Sequence, residues 1–177
     1  MYEKVEKPSD FSVSLAAVGT FTYFIEVFAY MFLTFTGQIF VLNNILFKFS
    51  SNFYMQILGV ILTLVGYFLF IWSVIVRDKY AVSWEMPENH KLITWGPYCY
   101  VRHPSYVGYF LMFFGLFFLW PNVFTIFPLM AIPGYVQVTY TEEKLLVQRF
   151  VGEYLEYQKK TGRFIPKLHK KEKETPS

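Results

Sequence analysis

Arg102 and His103 stand in the run Gly96-Pro97-Tyr98-Cys99-Tyr100-Val101-Arg102-His103-Pro104-Ser105-Tyr106-Val107-Gly108, directly against apolar sequence of lipid grade. A guanidinium, an imidazole and several tyrosine rings are thereby held at the edge of a bilayer. Such groups can bind a charged small molecule. Arg102 or His103 would meet a carboxylate, Glu143 further along would meet an amine or a ribose hydroxyl, and aromatic faces would meet a sulfonium or an adenine ring. The set suits an enzyme whose zwitterionic, nucleoside-containing cofactor comes from water and whose acceptor comes from the membrane.

The apolar sequence around these groups has to position them. Hydrophobic residues make up 54% of the 177, with 21 Phe and 14 Tyr. A soluble domain of this length cannot hide so much apolar surface, so the composition is that of a membrane protein. Lipid offers the backbone no hydrogen-bond partners, and the apolar runs are therefore read as helices. The expected fold class is all-α, an integral membrane helical bundle. A first helix lies within 11–42, ends near Gly37 and carries Glu26 in mid-span. A polar turn, 43–52, leads to a second helix over 53–76, long enough to cross a bilayer. A charged loop follows over 77–102. The third apolar run, 106–140, is too long for one span and breaks at Pro121-Asn122. It is read as a helical hairpin, 106–120 and 123–140, with Pro128 and Pro133 bending the second arm.

Four spans result, in a single domain divided as 1–10, 11–76, 77–105, 106–140 and 141–177. All of the 16 Lys and Arg except Lys48 then fall on one side of the membrane. The positive-inside rule places that side, with both termini and the central loop, in the cytoplasm. The membrane would be the endoplasmic reticulum in a eukaryote or the cell membrane in a prokaryote.

Beyond the hairpin, 141–160 has helical periodicity and reads as a cytoplasmic amphipathic helix. At 100° per residue Glu143, Val147, Phe150, Val151, Tyr154 and Leu155 share one side. Glu142 points away from them, toward water, with Arg149, Glu153 and Glu156. The folded-back hairpin brings Glu143 near Arg102 and His103.

Taken together, Gly96-Pro97-Tyr98, Arg102-His103-Pro104-Ser105-Tyr106-Val107-Gly108, Glu142-Glu143, Gly152-Glu153-Tyr154-Leu155-Glu156-Tyr157 and Thr161-Gly162-Arg163-Phe164-Ile165-Pro166-Lys167 resemble the isoprenylcysteine carboxyl methyltransferase family. The RHPxYxG core alone is shared with membrane phospholipid methyltransferases and some sterol reductases. The resemblance implies S-adenosyl-L-methionine as cofactor, contacted by His90, Lys91, Leu92, Ile93, Tyr98, His103, Pro104, Ser105, Tyr106 and Glu143. It implies as acceptor the α-carboxylate of a C-terminal prenylated cysteine, and so the bilayer and a prenylated protein or peptide as partners. The family's arginine just before the double glutamate is absent from Gln137-Val138-Thr139-Tyr140, so Arg102, with His103, is the candidate catalytic group that holds the acceptor. A phospholipid amine N-methyltransferase and a sterol-type reductase using a nicotinamide cofactor are the alternatives.

Other chemistries lack their residues. His90, His103 and His169 have no metal-ligand spacing, so no metal is expected. The lone Cys99 allows neither an internal disulfide nor a cysteine metal site. Nucleic-acid binding is not indicated, and the basic tail around 169–173 is a topology-setting segment. Arg102 in isolation would snorkel to lipid phosphate. Trp95 and Tyr100 belong to an interfacial aromatic belt. Gly108 permits either close helix packing or clearance for the cofactor. Glu26 is expected to be a protonated acid in an interhelical hydrogen bond.

Overall fold

A computed structural model of the chain describes residues 8–39, 52–80 and 90–167. The expected turn with Lys48, most of the loop before His90 and the basic tail lie outside them. Among the described residues four α-helices carry the fold: α1, Asp10–Phe35; α2, Phe53–Arg77; α3, Pro104–Leu119; and α4, Ala131–Lys160. The starts of α1, α2 and α3 follow from their sequences. Ser9 accepts a hydrogen bond from the Ser12 amide to open α1, and Asn52 does the same for Met55 in α2, as side-chain oxygens do at N-caps. Pro104 is the first residue of α3, where its missing N–H costs nothing.

The described residues form no strand, and the fold is all-helical. α1 has 26 residues and α2 has 25. At ~1.5 Å per residue each exceeds the ~30 Å hydrocarbon core of a bilayer. Both present bare apolar faces outward, with Phe28 72% and Phe68 65% exposed. These are the two described helices long and apolar enough to span. α3, with 16 residues, is shorter than a standard span.

The third apolar run does fold back, but not as two equal helices. Two short 3-10 turns, Phe124–Ile126 and Pro128–Met130, precede α4. Buried Asn122 makes the break, accepting from the Phe124 amide at 2.9 Å and donating to the Trp120 carbonyl at 2.8 Å. The expected bend at Pro128 and Pro133 is corrected. Pro128 sits in the turn, and Pro133 sits in the first turn of α4, where no intrahelical N–H bond is needed. α4 instead continues from the apolar segment into the charged one and kinks at Phe150 and Val151.

Small residues decide which helices touch. A Cβ at Gly66 would lie 2.8 Å from the Gly108 carbonyl, and one at Gly115 would lie 2.9 Å from the Gly59 carbonyl. α2 and α3 thus pack antiparallel, backbone to backbone. Gly108 is accounted for by this packing. α1 and α4 pair in the same way, Gly134 lying against Ser12 and Ala16, and Gly19 against Ala131. The two pairs are joined by rings: Tyr135 of α4 lies 4.7 Å from Tyr106 and 5.3 Å from Tyr109 of α3. Thr20 and Tyr135 share a 2.7 Å hydrogen bond across α1 and α4. Glu26 is 7% exposed, and its Oε2 has no hydrogen-bond partner among the described residues, so the expected interhelical bond does not engage that atom there.

Candidate functional site

At one end of the bundle the last turn of α2 and the start of α3 meet the middle of α4 around one cavity. Gly96 lets the chain turn tightly over the end of α2. Its φ is +63°, and a Cβ there would lie 2.9 Å from Val76. The turn Gly96–Cys99 that follows carries Tyr98 inward. The Tyr98 carbonyl accepts a 2.5 Å hydrogen bond from the Tyr157 hydroxyl. The chain after α4 then returns, the Arg102 amide donating to the Gly162 carbonyl at 2.9 Å and the His103 amide to the Arg163 carbonyl at 3.2 Å. A C-terminal strap therefore lies along the residues that open α3.

Glu143 fastens this strap. It accepts from Arg102 Nε at 2.9 Å, His103 Nε2 at 3.1 Å, Gln158 Nε2 at 3.2 Å and the Arg163 guanidinium at 2.7 and 3.1 Å. Burial alone would raise its carboxyl. The bonds from His103, Arg163 and Arg102 outweigh burial and hold it far below the usual carboxylate range. Arg163 also lies over the Tyr140 ring, 4.0 Å from its centroid, a cation–π contact. Arg102 is bound a second time, through Nη1 to the Thr161 carbonyl.

His103 links this cluster to a cavity. Its Nδ1 lies 3.4 Å from Glu142 Oε2 while its Nε2 meets Glu143. Burial pulls its proton affinity down, but the two carboxylates reverse that and raise its pKa above the ordinary value. Glu142 also accepts from the Tyr106 hydroxyl at 2.6 Å. The Tyr106 ring stacks on His103 at 5.7 Å with planes 6° apart.

Of the residues expected at a site, His90, Leu92, Ile93, Tyr98, Arg102, His103, Ser105 and Tyr106 line this one cavity. Three do not. Lys91 is exposed, Pro104 is buried at the helix start, and Glu143 lies behind His103 in its cluster of cations. The wheel assignment for the two glutamates is corrected. Glu142 is 6% exposed and lines the cavity instead of facing water. Adjacent residues of α4 both turn inward because the helix is covered on two sides, by the cavity and by the strap. The kink also shifts the phase, leaving Val151 61% and Leu155 43% exposed and burying Tyr157.

Arg77, Tyr80, Glu142, Leu146, Tyr154 and Tyr157 complete the lining among the described residues. The sequence reading missed them as site residues, together with Arg163. Tyr154 and Tyr157, three residues apart beyond the kink, share a helix face on any helical wheel, a signal the sequence carries. Nothing local marks Arg77, whose role depends on where α2 ends. Three buried side-chain atoms on this wall have no hydrogen-bond partner among the described residues: Arg77 Nε, His90 Nδ1 and Tyr154 Oη. Burial and the charge of Arg149 lower the His90 pKa, keeping the ring neutral. Burial raises the Tyr154 pKa, keeping its hydroxyl protonated. No metal-binding group of acids, histidines or cysteines occurs among the described residues.

Comparison with known proteins bears on this geometry. A Schizosaccharomyces pombe protein-S-isoprenylcysteine O-methyltransferase is 38% identical over 90 residues, 50% of this chain and 38% of that one. Proteins of the same name from Tribolium castaneum and Saccharomyces cerevisiae are each 34% identical over 96 and 90 residues, covering 50% of this chain and 32% and 38% of theirs. The matched stretch thus spans well under half the length of these relatives. Similarity of fold reaches further. The structure of the eukaryotic intramembrane Ras methyltransferase ICMT (isoprenylcysteine carboxyl methyltransferase) superposes with a TM-score of 0.50 at 22% identity, over 92% of this chain and 54% of that one. The phospholipid methyltransferase family model matches residues 54–153, from α2 through the kink of α4. With more than half its length so matched, the chain belongs to the phospholipid methyltransferase family.

Proposed function

We propose that this protein is a membrane methyltransferase that uses S-adenosyl-L-methionine to methylate the α-carboxylate of a C-terminal prenylated cysteine. The observation that carries the reading is the cavity at the end of α2, α3 and α4, whose wall holds three buried polar atoms without partners among the described residues, one of them on the Arg77 guanidinium, beside the Glu142 carboxylate, Arg102 and aromatic rings. Buried polar atoms in folded proteins are ordinarily satisfied, so unsatisfied ones on a cavity wall fit a polar ligand. The residues suit a zwitterion: Glu142 for a cationic group, Arg77 for a carboxylate, and Leu92, Ile93 and Leu146 as a wall for a flat base.

S-adenosylmethionine, when bound, supplies a methyl group activated on a sulfonium. Glu142, held by Tyr106 and His103, would supply negative charge to a cationic group of the bound cofactor. The apolar wall excludes water, and Tyr98 and Tyr106 offer ring faces. A carboxylate acceptor is already ionised, so the chain has no proton to remove. Alignment and drying of the reactants are its contribution. The strap holds Arg102 and His103 in place from behind the cavity, and the acceptor's lipid tail would enter from the bilayer. The topology that goes with this reading has four spans, the α3–α4 hairpin forming the third and fourth, with both termini in the cytoplasm.

The family description favours a second reading, transfer to a phospholipid amine. The names of the similar proteins favour the first. Purified protein incubated with methyl-labelled S-adenosylmethionine is expected to label N-acetyl-S-farnesylcysteine. Label entering only phosphatidylethanolamine would transfer the assignment to the amine. Binding of a reduced nicotinamide cofactor without binding of S-adenosylmethionine would replace it with a reductase.

A further inference from the structure

We infer that Arg77 is the carboxylate-binding residue of the cavity, a guanidinium set at the last turn of α2 to receive an anionic ligand group. The inference rests on the methyltransferase reading for its natural ligands, but its geometry stands alone. Arg77 is partly buried and lines the cavity, and its Nε is fully shielded from solvent. Among the described residues no hydrogen bond or ion pair reaches its side chain. Arg102 and Arg163 differ on this point, since both are bound to Glu143. An arginine at the end of an apolar span ordinarily snorkels outward to lipid phosphate. Arg77 turns inward instead, and its charge acts on the buried Tyr98 hydroxyl, opposing the upward shift that burial imposes.

Local charge points the same way. Of the charged groups that line the cavity or contact Glu143, the basic Arg77, Arg102, Arg163 and His103 are set against the two carboxylates Glu142 and Glu143. Glu143 is saturated, and Glu142 is engaged by Tyr106 and His103. One carboxylate from a ligand would balance Arg77 through a forked, charge-assisted pair. The unpartnered Tyr154 hydroxyl on the same wall, neutral and buried, is a further donor for an anion.

Two ligands carry that chemistry: the amino-acid end of the methyl donor and the acceptor's α-carboxylate. Calorimetry in detergent with matched pairs separates them. One pair is S-adenosylhomocysteine and its decarboxylated analogue, and the other is N-acetyl-S-farnesylcysteine and its amide. Arg77→Gln is expected to weaken one carboxylate-bearing member by about 10- to 100-fold and to leave the counterpart that lacks the carboxylate unchanged. Retained binding of the counterpart shows that the variant is folded. Arg77→Lys, which keeps charge but loses the fork, should restore part of the loss. Equal weakening within both pairs, or no weakening at all, overturns the inference. If the unaltered protein binds neither pair, the methyltransferase reading fails, and laurate against dodecanol then tests the subsite. Selective weakening of laurate by Arg77→Gln would uphold it, and equal or absent binding would overturn it.

Discussion

Glu142 and Glu143 are neighbours in the chain with different work. Glu143 neutralises Arg102, Arg163 and His103 in a buried cluster, where breaking a pair by removing one partner costs about 3–5 kcal/mol. Glu143→Gln is therefore expected to lower the thermal midpoint strongly and to loosen the strap. Glu142 faces the cavity and holds Tyr106. Glu142→Gln should leave the midpoint much closer to the parent and weaken S-adenosylmethionine binding about tenfold or more. Thermal unfolding and calorimetry on the same preparations test both halves. Equal drops in midpoint would contradict the division of labour.

The helices set the site through their contacts. α2 delivers Arg77 and α3 delivers His103 to one level only because the glycines at 59, 66, 108 and 115 allow their backbones to meet. Gly66→Leu would drive its side chain into the Gly108 carbonyl and Met112. It is expected to cost at least the ~1–3 kcal/mol of an overpacked core and to reduce ligand binding with it. Gly152 is the contrast. It sits in the last part of α4 with no neighbouring atom within 4 Å of an added Cβ. Gly152→Ala should be neutral or stabilising by up to about 1 kcal/mol. Thermal midpoints of the two variants check this, and a Gly66→Leu protein as stable as the parent would remove the close α2–α3 contact as a requirement.

Over the whole molecule, the strap makes stability depend on pH with a defined sign. Folding raises the His103 pKa, so its contribution is complete below the ordinary value of 6.5 and is lost as pH rises through the folded value. Folding lowers the Glu143 pKa, so its contribution is complete above the ordinary 4.5 and is lost as pH falls through its folded value. The groups facing His103 are Glu142 and Glu143 from α4, Tyr106 from α3 and Phe164 from the strap. The thermal midpoint should be highest between pH 4.5 and 6.5 as far as these two groups decide it, and should fall on the alkaline side. His103→Gln should flatten that alkaline fall. An unchanged slope would assign it to another group.

Composition and periodicity were enough to expect an all-helical membrane fold, a break at Asn122 and a meeting of His103 with Glu143, because lipid leaves an apolar backbone few options and a broken apolar run must fold back. The expected residues from His90 to Tyr106 also carry most of the cavity wall. What the one-dimensional pattern lacked was the environment on each side of α4. A wheel assumes one wet face and one dry face, whereas the cavity and the strap cover α4 on both sides and so bury Glu142 as well as Glu143. Likewise the inward turn of Arg77, the return of Arg163 over Tyr140 and the pairing of α3 with α2 are contacts between residues far apart in the chain. Only three-dimensional packing decides such contacts.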